Sequence, residues 1–405
     1  MVNLKRRRYV ALLGPLDQAA SSLTNFVVPM AVASRGTIAD FAAISTAMLI
    51  TTLGLGVLRS ISGDVLISRG MVPEPASRQN FVSAVPRLVS SFVFAALFLL
   101  IALNLVFHFK VVALEVGVIG LMAVGIQDAL RYLAFADGRG EVALASDAIW
   151  LVGVAAMVVV AHWQHWAWAY AIWAASSLPA SIAAWIMLRR PIPVGNLRTW
   201  LKDTWPAGRS FLTEYLSVGG AATAGLLLLA ASAAAPVVAA VRGVQFLAMP
   251  LGVLVAGGAM TLPRALAAKL TSETRNQAFW KSLAAITVTS IIGSLCLVLI
   301  PRAVGERLLG ASWAKISPVR LWLPIYVTAS AIGMLARTTV RLLHAEMRTA
   351  RRQLAVAPMC LLGPALGAKF GGASGAMGAI ASTTIAVAAV WFWEARQHFR
   401  VGADT

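Results

Sequence analysis

Arginines and carboxylates stand inside the apolar stretches of this chain, not only between them. Asp17, Arg59, Asp64, Asp128, Arg131, Asp147, Glu214, Arg242 and Arg337 each fall within, or one turn into, a segment long enough to cross a bilayer. A charge facing lipid costs about 2.5–3.5 kcal/mol on insertion scales. These side chains must therefore face one another or a water-filled cavity. A membrane protein with a basic interior is most simply a path for something anionic.

The spans themselves follow from composition. Hydrophobic residues make up 59% of the chain and charged ones only 12%, and the mean hydropathy is +0.78. A soluble domain of this length needs far more polar surface. Against the usual requirement of about 20 apolar residues per spanning helix, about twelve spans are expected. The first six lie near Pro15–Ser34, Phe41–Ile67, Phe81–Phe109, Leu114–Ala136, Val142–His162 and Trp166–Leu188. The second six lie near Phe211–Ala231, Val237–Met260, Ser282–Ile300, Trp322–Leu343, Leu354–Phe370 and Ala376–Trp393. The expected fold class is an all-α integral membrane protein. Its parts are an N-terminal six-helix bundle (1–190), an interfacial cytoplasmic linker (191–209) and a C-terminal six-helix bundle (210–405). In the linker Trp200 and Trp205 alternate with Arg198, Lys202 and Arg209, the pattern of a helix half immersed in the interface.

The net charge is +18. Cytoplasmic loops of membrane proteins are enriched in Lys and Arg, and the basic residues here sort accordingly. With the N-terminus inside, the inner connections hold Lys5–Arg8, Arg69, Arg78, Arg139, Arg189, Arg190, Arg198, Lys202, Lys269, Arg275, Lys281, Arg348, Arg351, Arg352, Arg396 and Arg400. The outer connections are poorer. Both termini are then cytoplasmic, and Met1–Arg8 reads as a tail, not a cleaved signal peptide. No basic run is interleaved with aromatics for base stacking, which argues against nucleic acid. Cys296 and Cys360 lack CxxC spacing, so no disulfide or metal framework is expected.

Among the intramembrane charges, Asp128 and Arg131 are three residues apart and can share a helix face; with Asp147 they read as a structural ion-pair network. Arg59 and Asp64 are five apart, which is not a pairing distance on an α-helix. Arg337 and Arg341 are four apart on one face and need anions from elsewhere. Arg341 can snorkel to the inner interface, whereas Arg337 lies deeper. Arg59, Arg242 and Arg337 are the candidate cavity residues, since a planar guanidinium fork suits phosphate or pyrophosphate. Asp17, Asp64 and Glu214 are candidates for taking up a proton or sodium ion, or for serving as counter-charges. Prolines and glycines within the spans read equally as hinges or as ordinary membrane helix packing. A match between Gly56-Val57-Leu58 and Gly252-Val253-Leu254 is a faint echo between the halves. There is no P-loop, no HExxH and no His-rich cluster, hence no cofactor, metal or catalytic residue is expected, and no enzyme.

These residues resemble the polysaccharide (O-antigen and teichoic-acid type) flippase branch of the multidrug/oligosaccharidyl-lipid/polysaccharide (MOP) exporter superfamily, in its actinobacterial form. The resemblance rests on Leu16-Asp17-Gln18 with Ser21–Phe26, Gly54–Arg59 with Asp64 and Arg69, and Ile126–Tyr132 with Ser146-Asp147 and Trp150. In the second half it rests on Val241–Gln245 with Met249-Pro250-Leu251, Leu309–Trp313, and Arg337 to Arg352. It implies two six-helix bundles around a central V-shaped cavity. It implies flipping of a polyprenyl-diphosphate-linked oligosaccharide across the bacterial cytoplasmic membrane for cell-envelope synthesis, with cationic residues on the diphosphate. The implied partners are that substrate, membrane lipids, and a polymerase or glycosyltransferase. Asp64 departs from the glutamate more often expected there, and the outer parts of the seventh and eighth spans are unusually rich in alanine. The alternatives are a cation-coupled multidrug exporter of the same fold and a non-transporting scaffold of an envelope-synthesis complex.

Overall fold

The computed structural model describes residues 2–68, 87–102, 112–160, 165–189, 197–267, 272–342 and 351–401. Among these every regular element is helical, and nine helices are long and apolar enough to cross a membrane. The expected connections at Arg69, Arg78, Arg190, Lys269 and Arg348, most of the third expected span outside 87–102, and His162 lie outside the described residues. The chain divides into two compact units, Met1–Thr223 and Ala224–Thr405.

In the first unit α1 runs Val2–Arg35 and α2 begins at Ile38. The Thr37 side chain caps α2 by accepting from the Asp40 backbone N–H at 3.1 Å, and Asp40 accepts from the Thr37 backbone N–H at 3.1 Å. This reciprocal box satisfies two helix-start donors that lipid cannot. After Leu58 the helix opens into a π-turn over Arg59–Gly63, and α3 (Asp64–Ser68) completes the span. Then come α4 (Arg87–Ala102), α5 (Val112–Ala136) and α6 (Gly140–Val160). The span Trp166–Leu188 is built from α7 (Trp166–Ala175) and α8 (Ser177–Leu188). Helix α9 (Leu197–Tyr215) leads through a second π-turn, Leu216–Gly220, into α10 (Ala221–Ser232), which from Ala224 belongs to the second unit.

Helix α1 packs on α6, and α2 on α5. The second contact is close because Gly117 has no side chain: a Cβ there would lie 2.5 Å from the Ala47 carbonyl oxygen. Small residues let membrane helices approach to dispersion distance where no hydrophobic force drives them together. Neutral hydrogen bonds then tie the layers. Thr51 meets the Tyr170 hydroxyl at 2.5 Å, and that hydroxyl donates to the Gly117 carbonyl at 3.0 Å. The Trp150 indole N–H donates to the Trp173 carbonyl at 2.8 Å.

The second unit contains α11 (Ala235–Ala267), α12 (Ser272–Val298), the short α13 (Arg302–Leu309) and α14 (Trp313–Ile316), α15 (Leu323–Leu342), and a last helical stretch, Ala357–Val401. That stretch breaks at Gly371 and Gly372, the latter at φ 57°, a left-handed value that glycine adopts without strain. A Cβ on Gly367 would lie 2.4 Å from the Gly375 oxygen. The two arms therefore fold back on each other as a hairpin. The break falls between the two last spans expected from hydropathy. The core joins Phe279 and Ile286 of α12, Leu335 and Val340 of α15, and Trp391 and Ala395 of the last helix.

Candidate functional site

The intramembrane charges of the first unit converge. Arg59 projects from the π-turn of α2 and grips Asp128 of α5 with two bonds, Nε to Oδ2 at 2.8 Å and Nη2 to Oδ1 at 2.6 Å. One helical turn further along α5, Arg131 lies 3.8 Å from the same Asp128 oxygen. The Arg131 guanidinium also donates to Asp17 of α1, with Nε 2.7 Å from Oδ2, and stands 3.2 Å from Asp147 of α6. Gln127 closes the arrangement, donating to Asp147 Oδ1 at 2.6 Å and to the Ser146 hydroxyl at 3.1 Å. Asp17 and Asp147 are fully buried. One guanidinium thus bridges three helices, and two arginines face three carboxylates. Burying such charges unpaired would cost several kcal/mol per ion, so the cluster locks α1, α2, α5 and α6 in one register.

The π-turn is what aims Arg59. Its wider hydrogen bonding runs from the Asp64 backbone N–H to the Arg59 carbonyl, and Asp64 adds its field to that at Arg59. Single π-turns inside α-helices concentrate at functional positions. Two glycines make room for it. A Cβ on Gly63 would lie 2.5 Å from the Tyr132 ring, and one on Gly56 only 2.0 Å from the Tyr215 ring. Tyr132 in turn sits 5.9 Å beneath the Arg59 guanidinium. Arg59, Asp128 and Tyr132 line a narrow cleft with Ser62, Leu88 and Gly125, enclosing about 280 Å³ counting its open mouth.

The second unit holds its charges differently. Arg242 of α11 donates from Nη1 to the Gln245 side-chain oxygen at 2.6 Å and stacks 4.7 Å over the Phe246 ring. Its Nε is buried without an acceptor. Tyr326 of α15 lies within its electrostatic reach, and among the described residues no carboxylate pairs with it. Arg337 of α15 stands 6.0 Å over the Trp391 ring. Glu214, on α9 of the first unit, is almost wholly buried.

Sequence reasoning passed over one buried carboxylate. Glu394, fully enclosed, is paired with Arg352. Its signal was a lone acid immediately after the last expected span, which ends at Trp393. The partnership of Arg131 with Asp17 was equally unseen, because 114 residues separate them.

No protein-family model matches the chain, and no curated protein matches it. Solved structures do. A multidrug resistance MATE family transporter of the MOP superfamily in its outward-facing conformation superposes with a TM-score of 0.64 at 13% identity, over 98% of this chain and 96% of that one. A MATE transporter in complex with MaD3S gives 0.66 at 14% identity, over 98% and 96% of the two chains. A MOP superfamily transporter from Pyrococcus furiosus, for which reverse polarity of the binding pocket suggests a different function, gives 0.64 at 13% identity over the same shares. The chain thus has a MATE-like, all-α, multi-pass membrane fold. At this identity the likeness establishes the fold; what is carried has to be argued from the side chains.

Proposed function

We propose that the chain is a membrane transporter that flips a polyprenyl-diphosphate-linked oligosaccharide across the cytoplasmic membrane, serving cell-envelope synthesis. The observation that carries this reading is Arg242. Its guanidinium is stacked on Phe246 and bonded to an uncharged amide, and its buried Nε–H has no acceptor. A cation in that state favours an anionic ligand, and a guanidinium fork matches the paired oxygens of a diphosphate. Arg59 and Arg337 are the further cationic contacts in this reading. Arg59 reaches the ligand by exchanging Asp128, since its side chain keeps 36% of its surface exposed. The prenyl chain stays in lipid while the head group is presented to one leaflet and then the other. The description of the Pyrococcus furiosus transporter concerns that protein alone, but it supports treating pocket polarity as the discriminating property within this fold.

The test is flipping of a polyprenyl-diphosphate saccharide by purified protein in liposomes, wild type beside Arg242→Ala, Arg59→Ala and Arg337→Ala. Loss of flipping in Arg242→Ala, with a normal unfolding profile, is the expected result. Normal flipping by Arg242→Ala, or none by well-folded wild type across several saccharides, would sink the reading. One observation favours a second reading, the cation-coupled exporter. The cluster of Asp17, Asp128 and Asp147 around Arg59 and Arg131 has one carboxylate more than it has cations. A proton or metal cation bound there drives export in this reading, and gradient-driven efflux of a cationic drug, with no flipping of the lipid-linked saccharide, would favour it over the first.

A further inference from the structure

The continuous helical segment formed by α9, the second π-turn and α10 is longer than a span requires. The segment Leu197–Ser232 holds 36 residues, about 54 Å of helix at 1.5 Å per residue, against a hydrocarbon core of about 30 Å. The surplus is the polar end, and its residues are arranged by face. Trp200, Thr204 and Gly208 recur every four residues and are buried. Gly208 lies against the backbone of the Arg59–Gly63 π-turn: a Cβ there would sit 3.3 Å from the Ile61 Cα. On another face, centred about 130° round the helix, Arg198, Lys202, Trp205 and Arg209 follow at i, i+4, i+7 and i+11, all exposed. At 100° per residue these four fall within about 60° of one another. Asp203, the one acid between Leu197 and Arg209, projects more than 100° away from the middle of that stripe. Trp205 is 49% exposed although Trp200 is 5%.

We propose that this stripe is a docking face for the head groups of anionic phospholipids. Three cations in a line, with a tryptophan between them, complement a sheet of phosphodiesters. The indole seats at head-group depth, and each basic side chain near an anionic surface contributes favourably. The buried face of the same helix rests, at Gly208, on the turn that carries Arg59. Lipid charge at the membrane surface therefore acts on a helix packed against that turn. The proposal does not depend on what the chain transports.

The test uses the full-length protein in nanodiscs of phosphatidylcholine with graded phosphatidylglycerol, counting retained lipids by native mass spectrometry after partial delipidation. Wild type should retain phosphatidylglycerol preferentially. In R198Q/K202Q/R209Q that preference should fall by about fivefold per removed charge, with a normal unfolding profile. The control R302Q/R307Q removes two exposed cations of α13 and should leave the preference in place. If the triple variant does not fold, K202Q alone, at an exposed position, should still show a single step of the loss. An unchanged preference in the triple variant, or in K202Q where that is the one read, overturns the proposal. So does an equal loss in the α13 control, or displacement of phosphatidylglycerol by millimolar inorganic phosphate, which would mark a soluble-anion site.

Discussion

In the first unit Arg59 and Arg131 are met by Asp17, Asp128 and Asp147, with bonds of 2.6–2.8 Å to the nearest carboxylates. In the second unit Arg242 meets the Gln245 amide and the Phe246 face instead. Both arrangements put guanidinium in an apolar bundle, but they leave it in different states. A carboxylate partner cancels the field of the cation and spends its hydrogen bonds, so the pair holds helices together. An amide and an aromatic face steady the cation without cancelling it, so the field remains for a ligand. The difference predicts that the two sets of arginines respond oppositely to removal.

The sharpest way to break this contrast is Arg131→Gln set beside Arg242→Gln. Without Arg131, Asp17 and Asp147 are stranded where neither has solvent exposure, and breaking such a buried pair costs about 3–5 kcal/mol. The unfolding midpoint in detergent should fall by many degrees. Arg242→Gln removes a charge that has no counter-charge among the described residues, so its midpoint should stay put or rise while ligand binding is lost. Equal destabilisation by both would dissolve the distinction. Next in size is Arg352→Gln, which strands Glu394. Glu394 is fully buried, but Arg352 is 43% exposed, so water can reach the vacated place and a loss of about 2–3 kcal/mol is expected. A loss as large as that of Arg131→Gln would show that the second unit also depends on its ion pairs.

A third substitution addresses the π-turn. In Gly56→Leu the new side chain meets the Tyr215 ring, which a bare Cβ would already approach to 2.0 Å. Overpacking of that kind costs about 1–3 kcal/mol. Tyr215→Ala in the same chain should return part of it. Because Gly56 lies within one turn of Arg59, the single variant should also weaken the Arg59–Asp128 pair and raise the solvent reactivity of a carboxylate probe at Asp128.

Hydropathy was enough to announce the helical membrane class, since lipid admits so few ways of satisfying a backbone. It also located the break at Gly371 and Gly372, between two apolar runs that the structure joins as a hairpin. The residues of the site were visible by type, because a charge in a span is conspicuous. Their pairing was not. Nothing in local spacing tells Arg131 of α5 to choose Asp17 of α1, a choice made by how α1 packs on α6 beside α5. Spacing set Arg59 and Asp64 apart as side-chain partners, and Arg59 does pair across to Asp128 of another helix. What spacing on an ideal α-helix did not show is the π-turn, in which the Asp64 N–H bonds the Arg59 carbonyl. A π-turn depends on tertiary room, here from Gly56 and Gly63, and such room leaves no periodic trace in a sequence.

The smallest effect sharpens the comparison from its neutral side. Thr51 of α2 lies 2.5 Å from the Tyr170 hydroxyl and donates toward Gly117 at 2.9 Å. It is as buried as the charged cluster but carries no charge. In Thr51→Val the Tyr170 hydroxyl keeps its own bond to the Gly117 carbonyl at 3.0 Å, so no donor is stranded. The expected loss is about 1 kcal/mol or less, in line with interhelical hydrogen bonds between uncharged groups in membranes. If Thr51→Val cost as much as Arg131→Gln, burial of polar atoms alone would explain the rigidity of the first unit, and charge pairing would have no special part in it. A small loss beside a large one assigns that rigidity to the carboxylates, and leaves the uncancelled charge of Arg242 as the property that sets the second unit apart.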